Sequence, residues 1–426
     1  MPSILALLFV VSMFIPVEFY IMLGSLRLEP YRLVLLVALG YALVYLPRTR
    51  RQADAVDTSL LVLLCIVFAS FWVNHGIGKA IQSTGLYAVE TLGAFYLARL
   101  AITTPMQFYR INQLFITILA CLTLFTVYEA VTKHRILHDL ALQITGHHSL
   151  DPRLYTADYV RAGLMRAASL FEHPILYGTL TALFFPFSIL SWNYYRRSGD
   201  TLKASGLLIS MIFTLSSAPI LSLLLQGISA ILLKIWHQAR RLWFSLFFLV
   251  LAIALIIQFT SNRGFFGVLI SYLTLNPQTG YSRILQWEYT AVDIANHPLL
   301  GIAHHDWTRP SWLAWLGTSI DSFWLLLILQ HGVFALCLLL AASFYTTART
   351  VRVWVYHDKR TQWMVTAWLL SFFSLIFIGF TVDYFGKLQP MFFFMLGAIH
   401  WAQNYPVWQC HPTEKFASTP DSNDTV

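Results

Sequence analysis

The sequence predicts an all-α integral membrane protein of about twelve transmembrane helices, with two long extracytoplasmic loops containing short helices. Three observations lead there. Of 426 residues, 57% are hydrophobic and only 11% are charged, against roughly a quarter charged in soluble domains. Mean hydropathy is +0.63. Apolar runs of the ~20 residues needed to cross ~30 Å of hydrocarbon as a helix recur along the chain. The charge that would keep such a surface in water is missing, which excludes a soluble enzyme, a disordered chain and a fibrous repeat. The 14 Trp, 20 Tyr and 32 Phe fit a chain with many lipid–water boundaries, where amphipathic rings settle.

In chain order the predicted spans are 2–23, 31–46, 58–75, 85–102, 111–132, 168–192, 204–217, 219–236, 243–261, 319–347, 363–382 and 389–405. The first has no basic residue before Phe9 and no small-residue cleavage site after it, so it reads as a retained helix rather than a signal peptide. Residues 204–236 form one apolar run interrupted by Ser216, Ser217, Ala218 and Pro219. As a single helix it would be ~50 Å long. Charge parity decides for two helices. With twelve spans and both termini cytoplasmic, five short inside loops hold 14 basic residues in 54 positions, and the outside loops hold 11 in roughly 113, the positive-inside pattern. Making 204–236 one helix would put Lys234, Arg240 and Arg241 outside.

The organisation is therefore five helices over 1–132, a first extracytoplasmic loop 133–167, four helices over 168–261, a large extracytoplasmic loop 262–318, three helices over 319–405, and a cytoplasmic tail 406–426. The net charge of +8 records this topological bias, not nucleic-acid binding. Cys65, Cys121 and Cys337 lie in apolar segments and Cys410 in the tail, a distribution that suits neither a disulfide framework nor a zinc site.

The long loops are rich in His, Asp, Trp and isolated arginines, and loops of that length in a compact bundle are usually functional. Residues 282–297 read as a helix, because Ile284, Trp287, Ala291, Ile294 and Ala295 recur at helical spacing and Pro298 stops the run. Arg283 and Trp287 share a face. Two readings are open: an interfacial helix with Arg283 on lipid phosphate, or an arginine aimed at an anionic substrate. His304, His305 and Asp306 have no metal-site spacing such as HExxH. Trp307, Trp312 and Trp315 suit headgroup anchoring or sugar stacking.

In the first loop, Asp151, Arg153, Asp158, Arg161 and Arg166 are close enough to pair among themselves. Glu172 and His173 at one membrane boundary and Asp321 at another are more pointed, since an ionisable group there costs free energy unless it faces a wet cavity. Asp383 and Lys387 are spaced as a structural pair. No P-loop, Rossmann glycine fingerprint, GxSxG or midplane charge relay is present.

The stretch Tyr281-Ser-Arg283-Ile-Leu-Gln-Trp287, followed by Asn296-His297-Pro298-Leu-Leu-Gly301, resembles the signature of the O-antigen ligase and O-antigen (exopolysaccharide) polymerase superfamily of polytopic membrane glycosyltransferases. Ser319-Ile-Asp321-Ser322-Phe-Trp with Gln330-His-Gly332, and Phe171-Glu-His173-Pro174-Ile-Leu-Tyr-Gly178, are similar to further elements of that pattern. The motifs concentrate in ~50 residues, while the span layout covers the chain. Ligases of the family carry a His-Asn pair where this chain has Asp321-Ser322, and many members carry Ser-Arg where it has Ser216-Ser217. The divergent pattern suits a polymerase better than a ligase.

The resemblance implies a bacterial inner-membrane, metal- and cofactor-independent glycosyltransferase. It would act on the periplasmic side on a polyprenyl-diphosphate-linked glycan, amid membrane lipid and other polysaccharide assembly and export proteins. It places Arg283 on the diphosphate, with Arg166 or Arg263 as a second clamp and Trp287 holding the helix. Asp321 leads as general base, with Glu172 and His173 behind it. The rival readings are a ligase with a lipid or protein acceptor, a precursor transporter or flippase, and a non-catalytic scaffold.

Overall fold

The computed structural model describes residues 1–24, 26–45, 54–147, 159–195, 198–236, 277–354 and 357–404, with the single positions 252, 256 and 260. The protein is predominantly helical with almost no sheet. The described helices, in order, are α1 (Pro2–Ser12), α2 (Pro30–Tyr45), α3 (Ala55–Ala88), α4 (Ala94–Ala101), α5 (Pro105–Thr132), α6 (Ile136–Thr145), α7 (Pro174–Tyr195), α8 (Ser198–Phe213), α9 (Ser217–Trp236), α10 (Pro277–Asn296), α11 (Phe323–His331), α12 (Val333–Trp354), α13 (Lys359–Ile378), α14 (Leu388–Ala398) and α15 (His400–Asn404). Two small antiparallel hairpins, Ile21–Leu23 with Leu26–Leu28 and Val160–Arg161 with Leu164–Met165, a π-helical turn Val89–Gly93 and a 3-10 turn Ser311–Leu313 complete the described elements.

Among the described residues five helical stretches are long and apolar enough to cross a membrane: Ala55–Ala101, Pro105–Thr132, Pro174–Ser191, Val333–Trp354 and Lys359–Ile378. The expected count of twelve is not reached. One reason is that α1, α2 and α9 are apolar but short. Another is that the expected span 243–261 lies almost wholly outside the described residues.

The first long stretch holds two crossings in one. Gly76 (φ 82) interrupts α3, and Arg99 at the end of α4 pairs with Asp57 in the first turn of α3. A straight 47-residue helix would keep those side chains ~60 Å apart at 1.5 Å per residue. The chain therefore reverses at Gly76, as the separate spans 58–75 and 85–102 require. Residues 204–236 likewise divide into α8 and α9, with Leu215 (φ 45) in the turn between them.

Burial sets the layers. The apolar windows of α7 and α13 are 78% buried, against 39%, 44% and 33% for the α3–α4 stretch, α5 and α12. The first pair forms the centre. The others turn side chains such as Leu61, Trp72, Leu124, Phe334 and Phe344 outward, where only a lipid-like surrounding stabilises them.

The expected span 319–347 is not continuous. It breaks into α11 and α12 at Gly332 (φ 84), and into the break fits the turn Pro298–Ala303, itself bent at Gly301 (φ 62). Val333 N–H donates to Pro298 O (2.8 Å), Ile302 N–H to Leu329 O (2.9 Å) and Ala303 N–H to Gln330 O (3.0 Å). Helix ends leave such groups unpaired, and here the turn supplies their partners. Gly301 and Gly332 lie against each other's flanking backbone so closely that neither has room for a Cβ.

Candidate functional site

Residues 277–296 form α10, as the spacing predicted, but not as an interfacial helix with Arg283 on its surface. Leu285 of α10 is buried with Ile302, Trp307, Leu313, Leu316, Ile320, Leu325 and Leu329 in a small core separate from the main one, and Trp287 and Tyr289 pack against that core. Arg283 is 4% exposed.

Arg283 is loosely paired for a buried cation. Its Nε lies 3.8 Å from the Asp321 carboxylate, too far for a hydrogen bond, and Nε–H has no hydrogen-bond partner. Gln286, one residue after Leu285 on α10, instead holds the Asp321 backbone, accepting from its N–H through Oε1 (3.0 Å) and donating to Ser319 O (3.1 Å). Asp321 is thereby fixed just before α11, half-buried. Burial raises its carboxyl above the usual carboxylate range, and Arg283 opposes that rise.

Two further guanidiniums converge from the Val160–Met165 hairpin. Arg161 donates to Leu215 O (2.6 Å). Arg166 donates through an Nη to the Ser216 hydroxyl (2.7 Å) and lies over the Tyr159 ring, 5.3 Å from its centroid. Burial and then the charge of Arg161 lower Arg166 to about 10, with Arg135 and Arg283 adding to the fall. Burial, and Arg161 in turn, depress Arg283. Three guanidiniums thus act on one another with a single carboxylate, Asp321, within 4 Å of any of them among the described residues. Such a cluster is electrostatically suited to an anion of more than one negative charge.

Of the residues expected at a site, the structure brings Arg283, Arg166 and Asp321 together. His173 stands one step away. Its Nδ1 accepts from Ile175 N–H (3.1 Å) at the start of α7, and its Nε2 meets the Tyr159 hydroxyl (3.1 Å), whose ring covers Arg166. Glu172 belongs to a different group: burial and then Glu29 raise it, and Lys387, Arg27 and Arg32 oppose. Adjacent side chains diverge, so Glu172 and His173 face different neighbours. Trp287 packs the helix against its small core. Arg263 lies outside the described residues, as do Asp151, Arg153 and Asp158.

The Asp383–Lys387 pair is not formed. Lys387 stands just before α14 and donates to Ile15 O (2.6 Å), with its ammonium over the Phe171 ring. Asp383 lies instead within electrostatic reach of Asp321; burial raises it to about 7, the Tyr384 backbone N–H opposing the rise and the Asp321 charge adding to it. Tyr159 was not singled out in the sequence, while Arg161 was read only as pairing within its own loop and Asp383 only as the partner of Lys387.

His304 and His305 dock on the reversal of α3: His304 N–H donates to His75 Nε2 (3.2 Å), and His305 stacks on His75 at 4.2 Å. No protein-family model matches the chain, and no curated protein does either.

Proposed function

We propose that this protein is an integral membrane glycosyltransferase that polymerises oligosaccharide repeat units carried on a polyprenyl diphosphate. It does so at the non-cytoplasmic face of the bacterial inner membrane, in a twelve-span arrangement with both termini cytoplasmic. The observation that carries the reading is Arg283, a buried guanidinium that, among the described residues, has no acceptor for its Nε–H and no carboxylate nearer than 3.8 Å. Burying an unsatisfied charged donor costs free energy, and an anion that fills the place recovers it. Arg166 supports the same reading, since it reaches Ser216, the position after which many members of the resembled family carry their own arginine.

In this reading Arg283 and Arg166 hold the diphosphate, which gains charge as the glycosyl bond breaks, and stabilise it in the transition state. The acceptor hydroxyl must lose its proton to a base within hydrogen-bond reach, and Asp321 beside Arg283 marks where that carboxylate chemistry sits. His173 and Tyr159 set the face of Arg166. Glu172 lies in the neighbouring charge group and keeps that wall polar.

The test is incubation of the purified protein with a lipid-diphosphate-linked repeat unit. A ladder of multiples is expected, and R283A is expected to lose ~10²–10³-fold in rate. Transfer only to an added lipid or protein acceptor would make the protein a ligase. Movement of the donor across liposomes without turnover would make it a transporter. Full activity in R283A would overturn the assignment.

A further inference from the structure

Three features remain outside that reading: the histidines around the α3 reversal, the Glu172–Lys387 group, and Asp383. The first two are occupied with backbone or with one another. Asp383 has the Tyr384 backbone N–H but no cation: among the described residues none lies within 4 Å of it, whereas Asp321 has Arg283 at 3.8 Å.

The backbone explains how these two carboxylates come together. The start of α11 is bonded to the segment that follows α13: Phe323 N–H donates to Val382 O (3.1 Å), Trp324 N–H to Gly379 O (3.3 Å) and Ser322 Oγ to Gly379 O (3.0 Å). Asp321 and Asp383 each lie within two residues of the Phe323–Val382 bond. The neighbours of Asp383 fix the segment on both sides. Tyr384 stacks on Phe323 at 4.3 Å and its hydroxyl donates to Leu375 O. Phe385 packs edge-on to His173 at 5.8 Å, and His173 leads through Tyr159 to Arg166. Asp383 therefore sits on a strap that runs from the Asp321 side of the cluster to the Arg166 side.

We infer that Asp383 is the carboxylate that takes the acceptor's proton, and that Asp321 is a positioning residue that orients Arg283. This rests on the glycosyltransfer reading above. Two carboxylates in unlike surroundings divide the work. Asp321, facing a guanidinium, is the better anion and the weaker base. Asp383, with no cation within 4 Å among the described residues and a negative neighbour, is the stronger base; burial raises it to about 7 and the charge of Asp321 adds to the rise. In the step, the acceptor oxygen forms a bond to the anomeric carbon as the bond from that carbon to the diphosphate oxygen breaks. The electron pair leaves on the diphosphate between Arg283 and Arg166. The hydroxyl proton passes to the Asp383 carboxylate and then to water.

The experiment uses the full chain in lipid nanodiscs, with geranylgeranyl diphosphate as binding probe and a lipid-diphosphate-linked repeat unit as donor. D383N is expected to lose ~10²–10⁴-fold in turnover, the usual range for removal of a general base, while binding the probe as tightly as the natural sequence does at pH 6. D383E is expected to restore part of the turnover. Probe affinity in the unchanged protein should weaken more steeply from pH 6 to pH 8.5 than in D383N, because the ionising carboxylate repels the bound anion. Turnover of D383N within threefold of the unchanged protein, or equal pH slopes of binding, overturns the inference. Failure of the underlying reading looks different: R283A and R166A would then bind the probe as well as the unchanged protein does.

Discussion

Two charged regions of the molecule are built from the same kinds of residue and use them differently. At the start of α3, Asp54 caps the helix and Asp57 completes a reciprocal cap. Arg99 pairs with Asp57 and stands 3.7 Å from Asp54, and Arg349 and His400 each approach Asp54 to 3.6 Å. Every charge there meets an opposite one from another helix. Around α10, among the described residues, the three guanidiniums of Arg161, Arg166 and Arg283 share one close carboxylate, Asp321, at 3.8 Å from Arg283 Nε. That region is joined by other means: backbone pairing of Pro298–Ala303 into the α11–α12 break, and the small apolar core under α10. Charges balanced within the chain hold helices. Charges relieved of that duty are available to an external anion.

The largest effect that would break this contrast concerns Arg99. R99A leaves Asp57, 3% exposed, as an uncompensated buried carboxylate, and is expected to cost ~3–5 kcal/mol of stability. R283A removes a cation that satisfies little, and is expected to cost no more than ~1 kcal/mol while abolishing diphosphate binding. Reversible unfolding in detergent, read alongside probe binding, gives both quantities. Equal stability losses in the two variants would mean that Arg283 is also a structural cation.

A second variant sharpens the account of what holds the α10 end. G332A puts a Cβ at φ 84 against the carbonyls of Leu299 and Pro298. Strain of ~1–3 kcal/mol is expected, with the turn displaced from the break. Hydrogen exchange at Ile302, Ala303 and Val333 is expected to speed up, since their N–H groups bond across that break. Unchanged exchange there would show that the small core alone fixes the loop.

This break also shows what the sequence conceals. Composition and run length were enough for a helical membrane chain, because hydropathy is a property of residues taken one at a time. The helix of Arg283 was legible because its apolar positions repeat with the period of a helix and Pro298 ends them. The break at Gly332 was not, since it lies inside an apolar run whose hydropathy does not change when one backbone angle does. Arg283, Arg166 and Asp321 were found through residue type and motif. Asp383 was assigned to Lys387 on a spacing of four, which pairs side chains only if both lie in one helix. Lys387 precedes α14 and Asp383 lies in the strap before it, so the spacing carried no contact.

The smallest expected effect tests whether Arg166 belongs with Arg283 on the binding side of the contrast or with Arg99 on the structural side. Ser216 Oγ accepts from Arg166 at 2.7 Å and donates to Thr214 O at 3.0 Å, so its orientation is fixed by the turn between α8 and α9. S216A leaves Arg166 with a long contact to Thr214 O at 3.5 Å. The guanidinium keeps its charge and its place over Tyr159 but loses one aligned acceptor, worth ~1 kcal/mol. If Arg166 clamps the diphosphate, that loss is divided between the free protein, where the serine bond is gone, and the complex, where the guanidinium must be aimed without it. Probe affinity is then expected to weaken up to ~5-fold, with turnover at saturation falling less. If Arg166 only fastens the hairpin to α8, thermal stability falls by the same amount and probe affinity does not move. The two outcomes are opposite in which measurement responds, so this conservative change assigns Arg166 to one side.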